Sequence, residues 1–275
     1  MALERFGVAS ELVPITTSGD RGASPASSPA GVKGLFVAEI VRALQEGDVD
    51  LAVHSAKDLP AEDPEGVVVA AIPERASPFD VLVTREPDLV DGATVGSSSL
   101  RRQGQLRLAR PGLRVVDVRG NVDTRLRKLQ EGVMDGLVLA AAGLARLRIE
   151  PDHTELLSVQ QMVPAPGQGA LAVQACEGGP PSETVAALDH GPSRVAFEAE
   201  RRVVALLGGG CALPLGAFAQ AVDGVVRLVA VVLRPDGSDA IRADAEAVSA
   251  EAAAELVVEE IRAAGGDRIL EDLAR

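Results

Sequence analysis

Between residues 80 and 149 the chain alternates short apolar runs with segments of helical period, and this alternation limits the possible folds more than any other feature. "DVLVT" (80–84) reads as a strand. "ATVGSSSLRRQGQLRLARPG" (93–112) reads as a strand, a Ser-rich turn, a helix and a Pro-Gly stop. "LRVVDVRG" (113–120) and "NVDTRLRKLQEG" (121–132) repeat the strand and helix, and "DGLVLAAAGLARLRI" (135–149) does so again. Strands alternating with helices at this spacing predict parallel α/β units.

The flanks extend the pattern and then change it. "ELVPIT" (11–16) predicts a strand, and the small, polar, turn-rich residues 18–34 predict a long loop of the kind that serves as a lid. Phe36, Val37, Ile40, Val41 and Leu44 recur at helical period. "DLAVHSAKDLP" (50–60) is a strand entering a turn, "VVVAAI" (67–72) a buried strand, and "APGQGALAVQA" (165–175) a Gly-hinged turn entering another. Beyond these, a helix near 193–207, three strands joined at Asp223-Gly224 and Pro235-Asp236-Gly237, and a helix over 249–264 predict a separate small α+β domain.

Charge narrows the function. The net charge of −13 argues against nucleic acid as a partner. Residues 96–128, however, hold nine bases and two acids, whereas residues 236–275 hold eleven acids and four bases. Because salt screens surface charge beyond about 8 Å, a small anionic ligand senses the local basic segment more than the total. Arg107, Arg110, Arg127 and Lys128 are expected to be solvated helix faces. No apolar run reaches the ~20 residues that span a bilayer, and the N-terminus has no secretory pattern, so a cytoplasmic protein without a membrane partner is expected. Two cysteines and three histidines show no disulfide framework and no metal-ligand spacing, so no metal is expected.

Two basic turns stand out. In "SSSLRRQ" (97–103), hydroxyls precede Arg101 and Arg102 at a helix start, where free N–H groups and the dipole favour an anion. The alternative is an ordinary Ser cap with solvent-facing arginines. "RGNVDTR" (119–125) repeats this one unit later, and both turns fall at the C-terminal edge of the sheet, where ligands bind in open α/β folds. Asp58, at the end of another strand, either serves a cationic or N–H-rich ligand or caps a turn and pairs with Lys57. His54 is expected to be a hydrogen-bonded structural residue. Cys211, in "GGGCALPLGAF" (208–218), sits on a Gly-rich run that suits chemistry or covalent attachment better than core packing.

In order, "ITTSGD", "KGLFVAEI", "DLAVHSAKDLP", "GSSSLRRQGQL", "RGNVDTRLRKL", "LAAAGLARL", "PAPGQGALAV" and "GGGCALPLGAF" resemble the motifs of porphobilinogen deaminase, also called hydroxymethylbilane synthase. They cover residues 11 to 220, and the meander-plus-helix tail suits the family's third domain. The resemblance implies an α/β fold of three domains. The first two are like type II periplasmic binding proteins with a cleft between them, and the third is a small α+β domain with a three-stranded antiparallel sheet. The implied boundaries are residues 1–73 plus 165–187, residues 74–164, and residues 188–275.

The implied function is a monomeric transferase of tetrapyrrole (heme and porphyrin) biosynthesis. It condenses four porphobilinogen molecules head to tail with loss of ammonia, primed by a dipyrromethane held covalently on Cys211. By motif position Asp58 is the catalytic carboxylate. Lys57, Ser55, Ser99, Arg101, Arg102, Arg119, Arg125 and Gln168 match cofactor-binding positions. Arg146, Lys33, Arg119 and Arg125 match positions that meet substrate. "PAGVKG", around Lys33, departs from the family's Gly-Gly-Lys-Gly lid form, and Cys176 is expected to be inert.

The family opens with a strand and a helix bearing Thr-Arg-x-Ser-x-Leu-Ala. Here "MALERFGVASELVPITT" corresponds to the end of that helix and the following strand. The chain as written is therefore expected to be inactive or poorly folded, with a natural reading frame that extends upstream. The alternative function is an inactive homologue that keeps only anion or tetrapyrrole binding.

Overall fold

The computed structural model describes residues 3–17, 31–179, 185–208 and 213–274. Three sheets organise them. The first is built from β1 (Ala52–Ser55), β2 (Val67–Ala71) and β8 (Leu171–Cys176) in the order β1-β8-β2. Both neighbours run antiparallel to β8, because β8 re-enters the sheet from the opposite direction after a long excursion. α1 (Gly31–Glu46) covers this sheet with Val37, Val41 and Leu44.

The excursion forms the second sheet, of order β5-β4-β6-β3-β7. Its strands are β3 (Asp80–Thr84), β4 (Thr94–Gly96), β5 (Arg114–Val116), β6 (Gly136–Ala140) and β7 (His153–Leu156). The predicted parallel units hold for β4, β5 and β6. β3 runs antiparallel to both β6 and β7, so the sheet is mixed. α2 (Leu100–Ala109) follows β4, α3 (Val122–Gln130) follows β5, and α4 (Ala141–Leu147) follows β6. Since β4, β5 and β6 are parallel, the starts of all three helices share one sheet edge.

The third unit is the meander β9 (Leu215–Val222), β10 (Val225–Leu233) and β11 (Ala240–Ala247), antiparallel throughout. α5 (Gly191–Leu206) and α6 (Ala250–Ala263) pack on it around Val203, Leu228, Val232, Val257 and Ile261, and α7 (Gly266–Ala274) follows. α7 and β7 lacked a sequence signal strong enough to predict them.

Residues 11–16, expected to be a strand, join no sheet. Leu12 is 77% exposed, and only β8 pairs with β1 among the described residues. Alternating apolar residues make a strand only where a neighbouring edge receives their N–H and C=O groups.

Two crossing segments, 72–79 and 163–170, join the first two sheets, and the third unit clips onto both. Glu200 of α5 is fully buried. Its carboxylate accepts from Arg75 Nη1 at 2.7 Å and Nη2 at 3.1 Å, from Gly167 N at 2.6 Å and from Ala219 N at 2.8 Å. Phe197, on the same helix, packs into the core of the first sheet. Removing one member of a buried, hydrogen-bonded ion pair leaves the other unpaired in the interior. Glu200→Ala is therefore expected to cost about 3–5 kcal/mol in urea unfolding, whereas Arg85→Ala, at an exposed pair with Asp135, is expected to cost about 1 kcal/mol or less.

α2 also touches the third unit. A Cβ on Gly104 would lie 2.6 Å from the Arg234 carbonyl oxygen, so only glycine allows this approach. Arg107 donates to the carbonyls of Pro235 and Val115. The solvated face expected for Arg107 is thus incorrect, because the third unit lies over it. Arg110 pairs with Glu155 and Arg127 with Glu131 at the surface.

Candidate anion site between the crossing segments

The site is assembled from the ends of strands. β1 ends at Ser55 and passes into a single 3-10 turn, Ala56–Asp58, which carries Lys57 and Asp58. The second crossing segment comes close to this turn. Gly167 has φ +73°, and a Cβ there would lie 2.9 Å from Lys57 N, which accounts for glycine in "PGQG".

Across the junction, Ser99 caps α2 and its Oγ accepts from Arg102 N at 3.5 Å. The ordinary-cap alternative therefore describes the serine. It does not describe the arginines: Arg101 is 4% and Arg102 6% exposed, and both converge on Asp80, which is fully buried. Arg101 Nη1 donates to Asp80 Oδ2 at 2.8 Å and to the Val163 carbonyl at 2.6 Å. Arg102 donates to Asp80 Oδ1 from Nε at 2.9 Å and from Nη2 at 2.7 Å, and from Nη1 to the Val138 carbonyl at 3.1 Å. Gln168 Nε2 donates to Asp80 Oδ1 at 3.0 Å and to the Pro78 carbonyl at 2.7 Å, joining the network to both crossing segments.

Electrostatics connect the two sides. Burial pushes the Lys57 ammonium pKa down, and the charge of Arg102 adds to this. Asp58 and Asp80 oppose the shift, while Arg101 reinforces it. Burial pushes Arg125 down as well, again helped by Arg102, with Asp117 opposing. Arg125 Nε donates to the Gly120 carbonyl at 2.7 Å. Arg102 thus links the group: its charge is felt by Lys57, Arg101 and Arg125, with Asp58 and Asp80 opposing at Lys57 and Asp117 at Arg125. Arg101 Nε is buried without a hydrogen-bond partner. An unmatched donor in a cationic cluster suits a carboxylate-bearing ligand.

Other expected residues are placed less closely. Arg146, on α4, donates from Nη2 to the Gly169 carbonyl at 2.7 Å, so it reaches the second crossing segment. Arg119 has a side chain 79% exposed, with Nε on Asp117 Oδ2 at 3.2 Å. The loop expected over 18–34 is incorrect for residues 31–34, which form the first turn of α1 and carry Lys33, because the helical period extends one turn further back than its apolar residues mark. The Lys33 side chain, Cys211 and residues 18–30 lie outside the described residues. Cys176 Sγ donates to the Leu44 carbonyl at 3.2 Å against the first core, half-buried. His54 is buried, which pushes its pKa down while Gln174 opposes the shift.

Sequence reasoning missed Asp80. The available signal was an acid opening an otherwise apolar strand, "FDVLVT", immediately after the Pro-rich crossing. The carbonyls of Val138 and Val163 had no signal, because backbone acceptors are chosen only by the fold.

The fold is thus two α/β units joined by two crossing segments, with a buried cationic cluster where they meet, and a C-terminal α+β unit packed against both segments. The chain belongs to the porphobilinogen deaminase family. The family model described as porphobilinogen deaminase, dipyromethane cofactor binding domain, matches residues 1–182, and the model of the porphobilinogen deaminase C-terminal domain matches residues 195–264. Porphobilinogen deaminase of Syntrophotalea carbinolica is 45% identical over 271 residues, spanning 96% of this chain and 86% of that protein. That of Thermus thermophilus is 47% identical over 244 residues, spanning 86% and 79%. Among solved structures, an amino acid ABC transporter substrate-binding protein from Streptococcus pneumoniae bound to L-arginine is similar with a TM-score of 0.33 and 18% identity, over 59% of this chain and 72% of that one.

Proposed function

We propose that this chain is a hydroxymethylbilane synthase, joining porphobilinogen units head to tail with release of ammonia, and that the cluster around Arg101 and Lys57 is its carboxylate-binding site. The observation that carries this reading is the buried, unpartnered Arg101 Nε within a group of cations. Porphobilinogen and a dipyrromethane both carry acetate and propionate arms that such donors match.

The residues divide by role. Asp58 serves as the catalytic carboxylate, since a negative charge beside pyrrole N–H groups stabilises positive charge developing on the ring as ammonia leaves. Lys57, Arg101, Arg102, Ser55, Ser99 and Gln168 hold or orient the carboxylates of the cofactor, and Arg101 also meets a carboxylate of incoming porphobilinogen, which carries the same arms. Arg119, Arg125, Arg146 and Lys33 meet the substrate. Cys211 is the attachment point, and the dipyrromethane it would hold supplies the free pyrrole α-carbon at which the chain is extended. The domains follow the three sheets: 1–73 with 165–187, 74–164 and 188–275. The protein acts as a cytoplasmic monomer. No helix among the described residues is long and apolar enough to cross a membrane.

The direct test is ammonia release and porphobilinogen consumption by the purified chain. Binding of porphobilinogen without consumption would replace the enzyme reading with the binding-only one. Arg101→Leu is expected to weaken substrate or cofactor retention about 10- to 100-fold, the scale of one lost charge-assisted hydrogen bond of about 1.5–3 kcal/mol. Arg110→Leu, at a half-exposed pair with Glu155, is expected to change retention less than about twofold. Equal effects of the two in steady-state titrations would reduce the cluster to a general field.

A further inference from the structure

We propose that Asp80 is a positioning residue: its carboxylate locks Arg102 and orients Arg101 so that the Arg101 Nε–H is left to receive a ligand carboxylate. This rests on the reading of the cluster as a carboxylate site.

An ionised carboxylate in the interior is costly unless it is paired and hydrogen-bonded. Asp80, the first residue of β3, is held by four hydrogen bonds, three to Oδ1 and one to Oδ2. Burial by itself would raise its pKa, but the charges of Arg101 and Arg102 reverse this and hold it below the ordinary carboxylate range. Asp80 therefore stays ionised through the neutral range and acts as a fixed counter-ion.

The two arginines are treated unequally. Arg102 Nε, Nη1 and Nη2 all have acceptors: Asp80, the Val138 carbonyl, and Asp80 with Gln168 Oε1 at 3.5 Å. Arg101 engages Asp80 and the Val163 carbonyl through Nη1 alone, and its Nε is the orphan. Adjacent arginines in one motif thus have different duties. Every nitrogen of Arg102 is tied, and Arg101 keeps one buried donor without an acceptor. The one carboxylate fixes both outcomes, since each of its oxygens takes a different guanidinium. Val163 and Gln168 lie on the second crossing segment, so the aim of Arg101 is also tied to the junction between the two α/β units.

Asp80→Glu keeps the charge but displaces the carboxylate by one methylene. The expected result is a KM for porphobilinogen raised about tenfold, with kcat changed less than about twofold and a melting temperature lowered by several degrees, as overpacking a buried site does. A folded variant with parental KM overturns the proposal, because a purely structural counter-ion would lower stability and leave KM alone. A second measurement uses the unmodified chain, with guanidinium ¹⁵N spectra and the exposed Arg114 as reference. Arg102 Nε–H is expected to exchange with water at least about ten times more slowly than Arg114, as a donor locked to Asp80 should. Porphobilinogen is expected to shift Arg101 Nε–H and leave Arg102 in place. Arg102 exchange as fast as that of Arg114, or equal shifts of both signals, overturns the proposal even where the variant does not fold. A parent chain that neither binds nor consumes porphobilinogen overturns the functional reading instead, and the exchange rates still decide whether Asp80 locks Arg102.

Discussion

Asp58→Asn is expected to leave porphobilinogen binding near the parental level while lowering turnover about 100- to 1,000-fold, the scale seen when one preorganised electrostatic contact to a developing charge is lost. The amide nearly matches the carboxylate in shape, so the 3-10 turn Ala56–Asp58 should form as before. What disappears is the negative charge. It has two consequences here, one on the substrate ring and one on Lys57, whose ammonium Asp58 helps to keep protonated against burial and Arg102. The substitution should therefore also push the Lys57 pKa further down, and any basic limb of the turnover profile that reports Lys57 should move to lower pH. Single-turnover kinetics beside equilibrium binding separate the effects. Near-parental turnover would leave Asp58 with a structural role alone.

The second large effect is all-or-none. Cys211→Ser is expected to remove a covalent dipyrromethane from the intact-protein mass, and Cys176→Ser to retain it. The two thiols differ in setting. Cys176 lies in β8, half-buried against the first core, and donates to the Leu44 carbonyl. Cys211 follows three glycines between α5 and β9, in a stretch whose composition favours access over packing. An adduct that survives Cys211→Ser would move the attachment point elsewhere and remove the chemical reason for the glycine run.

The distribution of strands and helices was legible in the sequence wherever periodicity had length behind it. β3 to β6 with their helices, α1, α5, α6 and the meander all stand where apolar spacing and turn residues placed them. So was the sharing of one sheet edge by the two basic turns, because β4 and β5 are consecutive parallel strands. Local pattern determines these features, since each depends on neighbours a few residues away.

Tertiary structure decided what local pattern does not encode. "ELVPIT" has the composition of a strand, yet a strand exists only when another edge receives it, and residues 11–16 have none among the described residues. β3 runs antiparallel to β6 because of where the crossing segment enters the sheet, which periodicity does not record. The arginine pair shows the limit most clearly. The sequence supplied two arginines after a serine cap and left open whether they faced a ligand or solvent. The fold brought Asp80, about twenty residues earlier, and Gln168 and Val163, about sixty residues later, to the same point. A buried charge must find partners wherever the chain can deliver them, and those partners are set by the path of the backbone through space rather than by spacing along it.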